Sequence, residues 1–138
     1  MPSMNIFDIA GSGMNAQNLR LNLVASNLAN AGSVGSSIGE TYVSRQPVFA
    51  AKLKNILDNK NAATGVRVLG VVESEAPLQM EYAPSHAMAN EDGYIFKPNV
   101  NVVEEMANMM SASRTYQNNV EVVNTAKELM LQTLRMGQ

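Results

Sequence analysis

The chain has 138 residues, enough for one modest core and too few for two ordinary domains. Its 10 basic and 12 acidic side chains leave a net charge of −2, which provides no electrostatic footprint for nucleic acid or an anionic membrane and points to protein partners. With no cysteine in the chain, disulfide scaffolds, thiol chemistry and cysteine-ligated zinc are excluded.

The first basic residue is Arg20, and no charged, apolar, then small-residue pattern precedes it, so a cleaved secretory signal is not expected. No apolar run approaches the roughly 20 residues of a membrane helix. Methionine is common at 10 residues while tryptophan is absent, a balance suited to adaptable helix-to-helix contacts.

Residues 5–31 read as a helix, because Phe7, Ala10, Met14, Leu21, Val24, Leu28 and Ala31 recur at spacings of three and four, with Gln17 as the polar interruption. Ile6, Ile9, Gly13, Ala16 and Leu23 form a second stripe beside the first, and Gly13 and Ala16 admit a close neighbouring backbone. Gly32 stands where a glycine C-cap is expected.

The pattern then changes. Ala31 to Gly39 is rich in glycine and serine and reads as a flexible loop, and Asn55 to Gly65 as another polar connection. Val66, Val68 and Val72 on one strand face, and Leu78, Met80 and Tyr82 alternating with Gln79 and Glu81, predict short strands. Asp92-Gly93 is a turn signal leading into Tyr94-Ile95-Phe96, while Pro77, Pro84 and Pro98 argue against long central strands. The middle reads as a small β-rich lobe.

From 101 to 136 helical spacing returns: Val102, Met106, Met109, Tyr116, Val120, Val123, Met130 and Leu134 follow one repeat, with Ser113 and Lys127 as polar exceptions. Val122, Ala126, Leu129 and Met136 widen that apolar face. Such a helix is about 50 Å long, more than a small core can cover.

Catalytic chemistry finds no foothold. Gly11-Ser12-Gly13-Met14-Asn15-Ala16 matches the letters of a dinucleotide loop, but the strand before it and the acidic residue about 20 positions on are missing. His86 is the single histidine and sits in a proline- and serine-containing turn, so no multi-histidine metal site exists. Glu104 and Glu105 lie about 100° apart on a helix and read as charges complementing its dipole. No cofactor, metal or enzymatic activity is expected.

The segment Arg20-Leu21-Asn22-Leu23-Val24-Ala25-Ser26-Asn27-Leu28-Ala29-Asn30, with its paired asparagines, closely resembles the N-terminal signature of the flagellar rod and hook axial protein family. Pro98-Asn99-Val100-Asn101-Val102-Val103-Glu104-Glu105-Met106, followed by Met110 to Val120, resembles the C-terminal signature of that family's proximal-rod branch. Tyr82-Ala83-Pro84 and Gly93-Tyr94-Ile95 fit the same branch, whereas Ala87 after the histidine and Asn101 depart from many relatives at a turn and a helix cap.

The expected fold is therefore α+β: an N-terminal axial helix over 1–31, a loop and small β-rich lobe over 32–99, and a C-terminal axial helix over 100–138, the two helices forming a coiled-coil-like pair. The stripes place the subunit interface on Phe7, Met14, Leu21, Val24, Leu28, Met106, Met109, Tyr116, Val120, Val123, Met130 and Leu134. Asn27 and Asn30, with Asn22 and Asn119, are candidates for setting register, because a buried amide penalises wrong alignments. The resemblance implies export through the flagellar type III apparatus and helical assembly into the proximal rod, where it crosses the periplasm. Its partners there would be other rod proteins and the base-attachment protein. The alternatives are another rod subunit, or a soluble helical adaptor or export chaperone.

Overall fold

A computed structural model describes residues 2–52 and 65–137 of the chain. Two long helices carry its ends: α1, Pro2–Asn30, and α2, Val102–Met136. Between them the described residues form two separate antiparallel hairpins, β1 (Arg45–Lys52) with β2 (Gly65–Glu73) and β3 (Gln79–Tyr82) with β4 (Tyr94–Lys97). The architecture is α+β, following the switch from helical spacing to alternation and back. The polar connection expected from Asn55 falls outside the described residues, apart from Gly65, which opens β2.

α2 begins on Asn101, whose side-chain oxygen accepts the N–H groups of Val103 at 3.1 Å and Glu104 at 3.4 Å, satisfying donors that have no partner inside the helix. α1 ends differently from the expected glycine cap. Gly93 is the one positive-φ glycine among the described residues, at 81°, so Gly32 does not close the helix in a left-handed turn. Side chains and tightened turns do it instead. Asn30 Nδ2 donates to the Ser26 carbonyl at 2.8 Å, Ser33 Oγ donates to the Asn30 carbonyl at 2.8 Å, and Ala31 N–H reaches the Leu28 carbonyl at 3.3 Å.

The helices run antiparallel, since partner numbers fall along α2 as they rise along α1. Gly13 lies against Asn119, Arg20 donates to Asn108, and Asn27 donates to Glu105. The seam is built from small and polar residues. Its buried apolar members are Ala10, Ala16 and Val24 of α1 and Ala112 of α2, and a Cβ added at Gly13 would stand 2.9 Å from Asn119 Nδ2.

The large residues of the expected stripe do not make this seam. Met14, Leu21 and Leu28 each follow a seam residue, Gly13, Arg20 and Asn27, and so lie about 100° further round the helix. They are half-buried, as is Phe7. Close approach of the two backbones is gained at the small positions, and the bulky ones are left to the flank.

The hairpins attach to the helices at defined points. Ser12 Oγ accepts the Val66 N–H at 3.0 Å and donates to the Ile9 carbonyl at 2.8 Å, fastening the start of β2 to α1. β2 carries one extra residue, Leu69, between the pairs Val48–Gly70 and Phe49–Val68. That bulge corrects the expected strand face. Val66 and Val68 lie opposite Ala51 and Phe49, whereas Val72 lies opposite Gln46 and therefore on the other face.

The glycine- and serine-rich segment is likewise fastened rather than flexible. Gly35 is buried and pairs with Phe96 of β4, its N–H to the Phe96 carbonyl at 2.9 Å and its carbonyl to the Phe96 N–H at 3.0 Å. A Cβ at Gly35 would collide with Thr41 Oγ1 and crowd the Thr41 backbone, so any larger residue has to displace its neighbour. The Asp92-Gly93 turn and the strand after it are as expected, with Ile95 buried. The turn holding His86 is exposed, and Gly11 to Ala16 lies wholly inside α1, where a phosphate-cradling strand-to-helix turn cannot form.

Candidate subunit interface

Of the asparagines expected to set register, Asn27 sits in a buried joint, Asn119 lies against Gly13, Asn30 bonds its own helix and Asn22 is exposed. Asn27 is 1% exposed and is the largest fully buried side chain among the described residues. Its Nδ2 donates to Glu105 Oε2 at 3.1 Å and to the Arg45 carbonyl at 2.9 Å. Its Oδ1 accepts the Tyr42 hydroxyl at 2.8 Å and the Arg45 N–H at 3.0 Å. Both donors and both acceptor positions of the amide are thus used. By engaging both backbone groups of Arg45, the side chain stands in for a neighbouring strand at the first residue of β1.

Glu105, which the sequence reads as a charge complementing the helix dipole, is 4% exposed and belongs to this joint. Its signal lay in its phase: it precedes Met109 and Ala112 by four and seven residues, which puts it on the inner face of α2. Tyr42 was not foreseen, since a lone tyrosine in a polar segment has no periodicity. Ser26 Oγ donates to its hydroxyl at 3.2 Å, and the Arg45 guanidinium stacks 5.8 Å from its ring centre.

A second amide closes the base of the β1–β2 hairpin. Asn99 Oδ1 accepts the Ser44 N–H at 2.8 Å, while its Nδ2 donates to the carbonyls of Ala76 at 2.7 Å and Ser74 at 3.3 Å. Amides therefore tie helices and lobe at both ends of the loop segments. Arg20 adds a cross-helix bond, Nη2 donating to Asn108 Oδ1 at 2.7 Å.

The large apolar side chains lie mostly outside these ties. Val102, Val103, Met106 and Met110 are exposed early in α2, and Val122, Leu129, Leu131, Leu134 and Met136 along its far half. Among the positions expected at the subunit interface, Met106, Tyr116 and Leu134 are exposed. Phe7, Met14, Leu21, Leu28, Met109, Val120, Val123 and Met130 are half-buried. Val24 and Asn27 are buried within the chain, and Asn30 turns back onto its own helix. In this conformation those three serve the internal fold, because the seam and the helix end already use their contacts.

The accessible surface totals 10104 Å², against about 7,000 Å² for a compact monomer of 14.9 kDa. No helix among the described residues is long and apolar enough to cross a membrane. A thin internal seam with bulky side chains turned outward is the pattern of a structural, interaction-bearing chain.

Comparison with known proteins agrees. Residues 7–35 match the family model described as flagella basal body rod protein, and residues 91–136 match that of the flagellar basal body rod FlgEFG protein C-terminal region. The chain is 52% identical over the full length of both sequences to the flagellar basal-body rod protein FlgC of Escherichia coli O6:H1, and 50% identical, again over both full lengths, to that of Salmonella typhimurium. Similarity to the FlgC of Borreliella burgdorferi is 33% over 95% of each chain. The chain belongs to the FlgC family of flagellar basal-body rod proteins, and it is a structural subunit of the basal-body rod, associated there with other rod and basal-body components.

Proposed function

We propose that this subunit builds the proximal part of the rod by helical packing of its terminal helices. The observation that carries the reading is the division of labour on α2: inner positions are small or polar, while Met106, Leu129, Leu134 and Met136 stand exposed. A fully buried side chain of this kind contributes about 1.5–3 kcal/mol, so a few per contact, repeated around a tube, outweigh the ordering of the helices. Heterologous contacts that do not close on themselves generate such a tube.

In this reading the helices over 1–31 and 100–138 line the axis, in coiled-coil-like contact with neighbours, and residues 32–99 form an outer lobe. Phe7, Met14, Leu21, Leu28, Met109, Tyr116, Val120, Val123 and Met130 join the exposed residues in those contacts. The tube transmits torque and encloses the export path across the periplasm, with the base-attachment protein and other rod proteins as neighbours. The subunit reaches it through the type III apparatus, and its role is non-enzymatic.

The test is Met106→Asp and Leu134→Asp, two exposed positions where a charge leaves the monomer's fold alone but has to be desolvated in a packed contact. The expected result is normal secretion and circular dichroism with loss of the subunit from purified basal bodies and loss of motility. Motile cells carrying either variant at normal occupancy would overturn the interface. A chain that never cofractionates with basal bodies would be an adaptor or export chaperone.

A further inference from the structure

A cleft of about 280 Å³ opens where α1, β1 and the first turns of α2 converge, away from the outward stripe of α2. Its walls are the apolar side chains of Val24, Pro47 and Phe49, and two guanidinium groups, Arg20 and Arg45, flank them. Glu105 also lines it, but its Oε2 is engaged by Asn27. Two guanidinium groups against the one carboxylate of the lining give the cleft a formal balance of +1, and Glu73, outside the lining, pairs with Arg45.

Arg20 is half-buried and donates to a neutral acceptor, Asn108, without an ion pair among the described residues. Arg45 pairs with Glu73 at 3.3 Å on an open surface, and its planar fork keeps donors for a second carboxylate. An occupant that satisfies this cleft combines an apolar ridge with carboxylates at its side.

The far half of α2 has that composition. Val122, Leu129 and Met136 are spaced by seven residues and are 48%, 58% and 81% exposed, forming one outward ridge. Glu121 and Glu128, which precede Val122 and Leu129, are exposed about 100° around the helix from them, so the flank is acidic beside these two ridge residues, while the exposed Arg135 precedes Met136 on the same side. Nothing within the chain engages either glutamate in an ion pair among the described residues.

We propose that the outward ridge of α2 in one copy docks into the Arg20–Arg45 cleft of a second copy, with Glu121 and Glu128 meeting the two arginines. The contact is heterologous, since ridge and cleft are different surfaces, and so it propagates around or along a helix and does not stop at a dimer. The inference rests on the rod-subunit reading and supplies that reading with a specific intersubunit contact. Apolar packing gives the contact its strength, and the carboxylate–guanidinium pairs fix which flank faces inward.

The experiment uses cysteine pairs, which read cleanly because the chain has no native cysteine. Gln46→Cys and Leu129→Cys, both at exposed positions, are placed on one full-length chain and oxidised in cells and in isolated basal bodies. A ladder of linked subunits is expected. Glu128→Arg is expected to reduce it at least about tenfold through like-charge apposition, and adding Arg45→Glu to restore it. Failure of the charge swap to restore linkage overturns the pairing. Basal bodies that contain the subunit without the 46–129 link overturn the contact and leave the rod role standing, whereas basal bodies that lack the subunit overturn both.

Discussion

Asn27 and Glu105 lie 78 residues apart in the chain and meet in a buried hydrogen bond of 3.1 Å that joins the end of α1 to the start of α2. The pair is the inner half of a joint that also holds Tyr42 and both backbone groups of Arg45. Asn27→Leu keeps the branched outline, at a somewhat larger volume, but removes the amide partner of a buried carboxylate and of both backbone groups of Arg45. The expected loss is about 3 to 5 kcal/mol, a large share of a small domain's stability. Urea unfolding of the purified chain measures it, and a loss below about 1 kcal/mol would show that the joint is not what orders the helix pair.

Tyr42→Phe separates the hydroxyl from the rest of the joint. Asn27 Oδ1 keeps the Arg45 N–H, Ser26 can turn its hydroxyl elsewhere, and the ring stays under the Arg45 guanidinium. The expected cost is therefore about 1 kcal/mol, read as a fall of roughly 3 to 5 °C in Tm. A drop as large as that of Asn27→Leu would mean that the tyrosine, and not the amide, is the centre of the joint.

Two glycines are expected to respond in opposite directions to the same substitution. Gly11 lies inside α1 with nothing within 4 Å of an added Cβ, so Gly11→Ala gains helix propensity and stabilises by about 0.5 to 1 kcal/mol. At Gly35 the Cβ would collide with Thr41 Oγ1 and stand 3.1 Å from the Thr41 backbone, on a residue that is also bridged to Phe96. Gly35→Ala is expected to cost roughly 2 kcal/mol or more. Removing the hydroxyl with Thr41→Ala rescues this only in part, since the backbone contact remains. Thermal unfolding of the three variants decides the order.

The two helices and the β-rich middle were legible because apolar spacing changes period at residues 31 and 101, and the Asp92-Gly93 turn because glycine meets a backbone demand there. The inner face of the helices was not legible. Periodicity finds large apolar residues, and here Phe7, Met14, Leu21 and Leu28 sit one position away from the seam that Gly13, Arg20 and Asn27 occupy. Asn27 stood out in sequence, but its partners Tyr42, Arg45 and Glu105 are distant in the chain, and no spacing rule connects them. Val72 was assigned to the wrong face because the extra residue at Leu69 leaves no mark on composition.

Gln17, the polar break in the first stripe, now has a structural consequence. Its Oε1 is buried without a hydrogen-bond partner among the described residues, an arrangement that costs about 1 to 3 kcal/mol relative to a satisfied or apolar group. Gln17→Met preserves length and flexibility while removing the acceptor. A gain of about 1 kcal/mol in the purified chain is expected by urea unfolding. A loss instead would show that the amide has a partner in solution.

The position of the joint also sets where the monomer is held and where it is open. Val24, Asn27, Glu105 and Ala112 are buried at one end of the helix pair. At the other end Ile6 and Ile9 are exposed, as are all residues from 131 to 137. Local opening free energy follows buried contacts, so amide exchange in dilute protein is expected to slow by about a hundredfold or more at residues 24–30 and 106–112 relative to residues 6–9 and 131–136. The gradient reflects two helices anchored at the lobe and fraying toward their free ends. Assembly into rods is expected to erase it, because the exposed residues of the open end then gain neighbours. Uniform protection along both helices in the dilute monomer would mean that small and polar layers alone hold the pair closed, and the outward residues would then need another explanation.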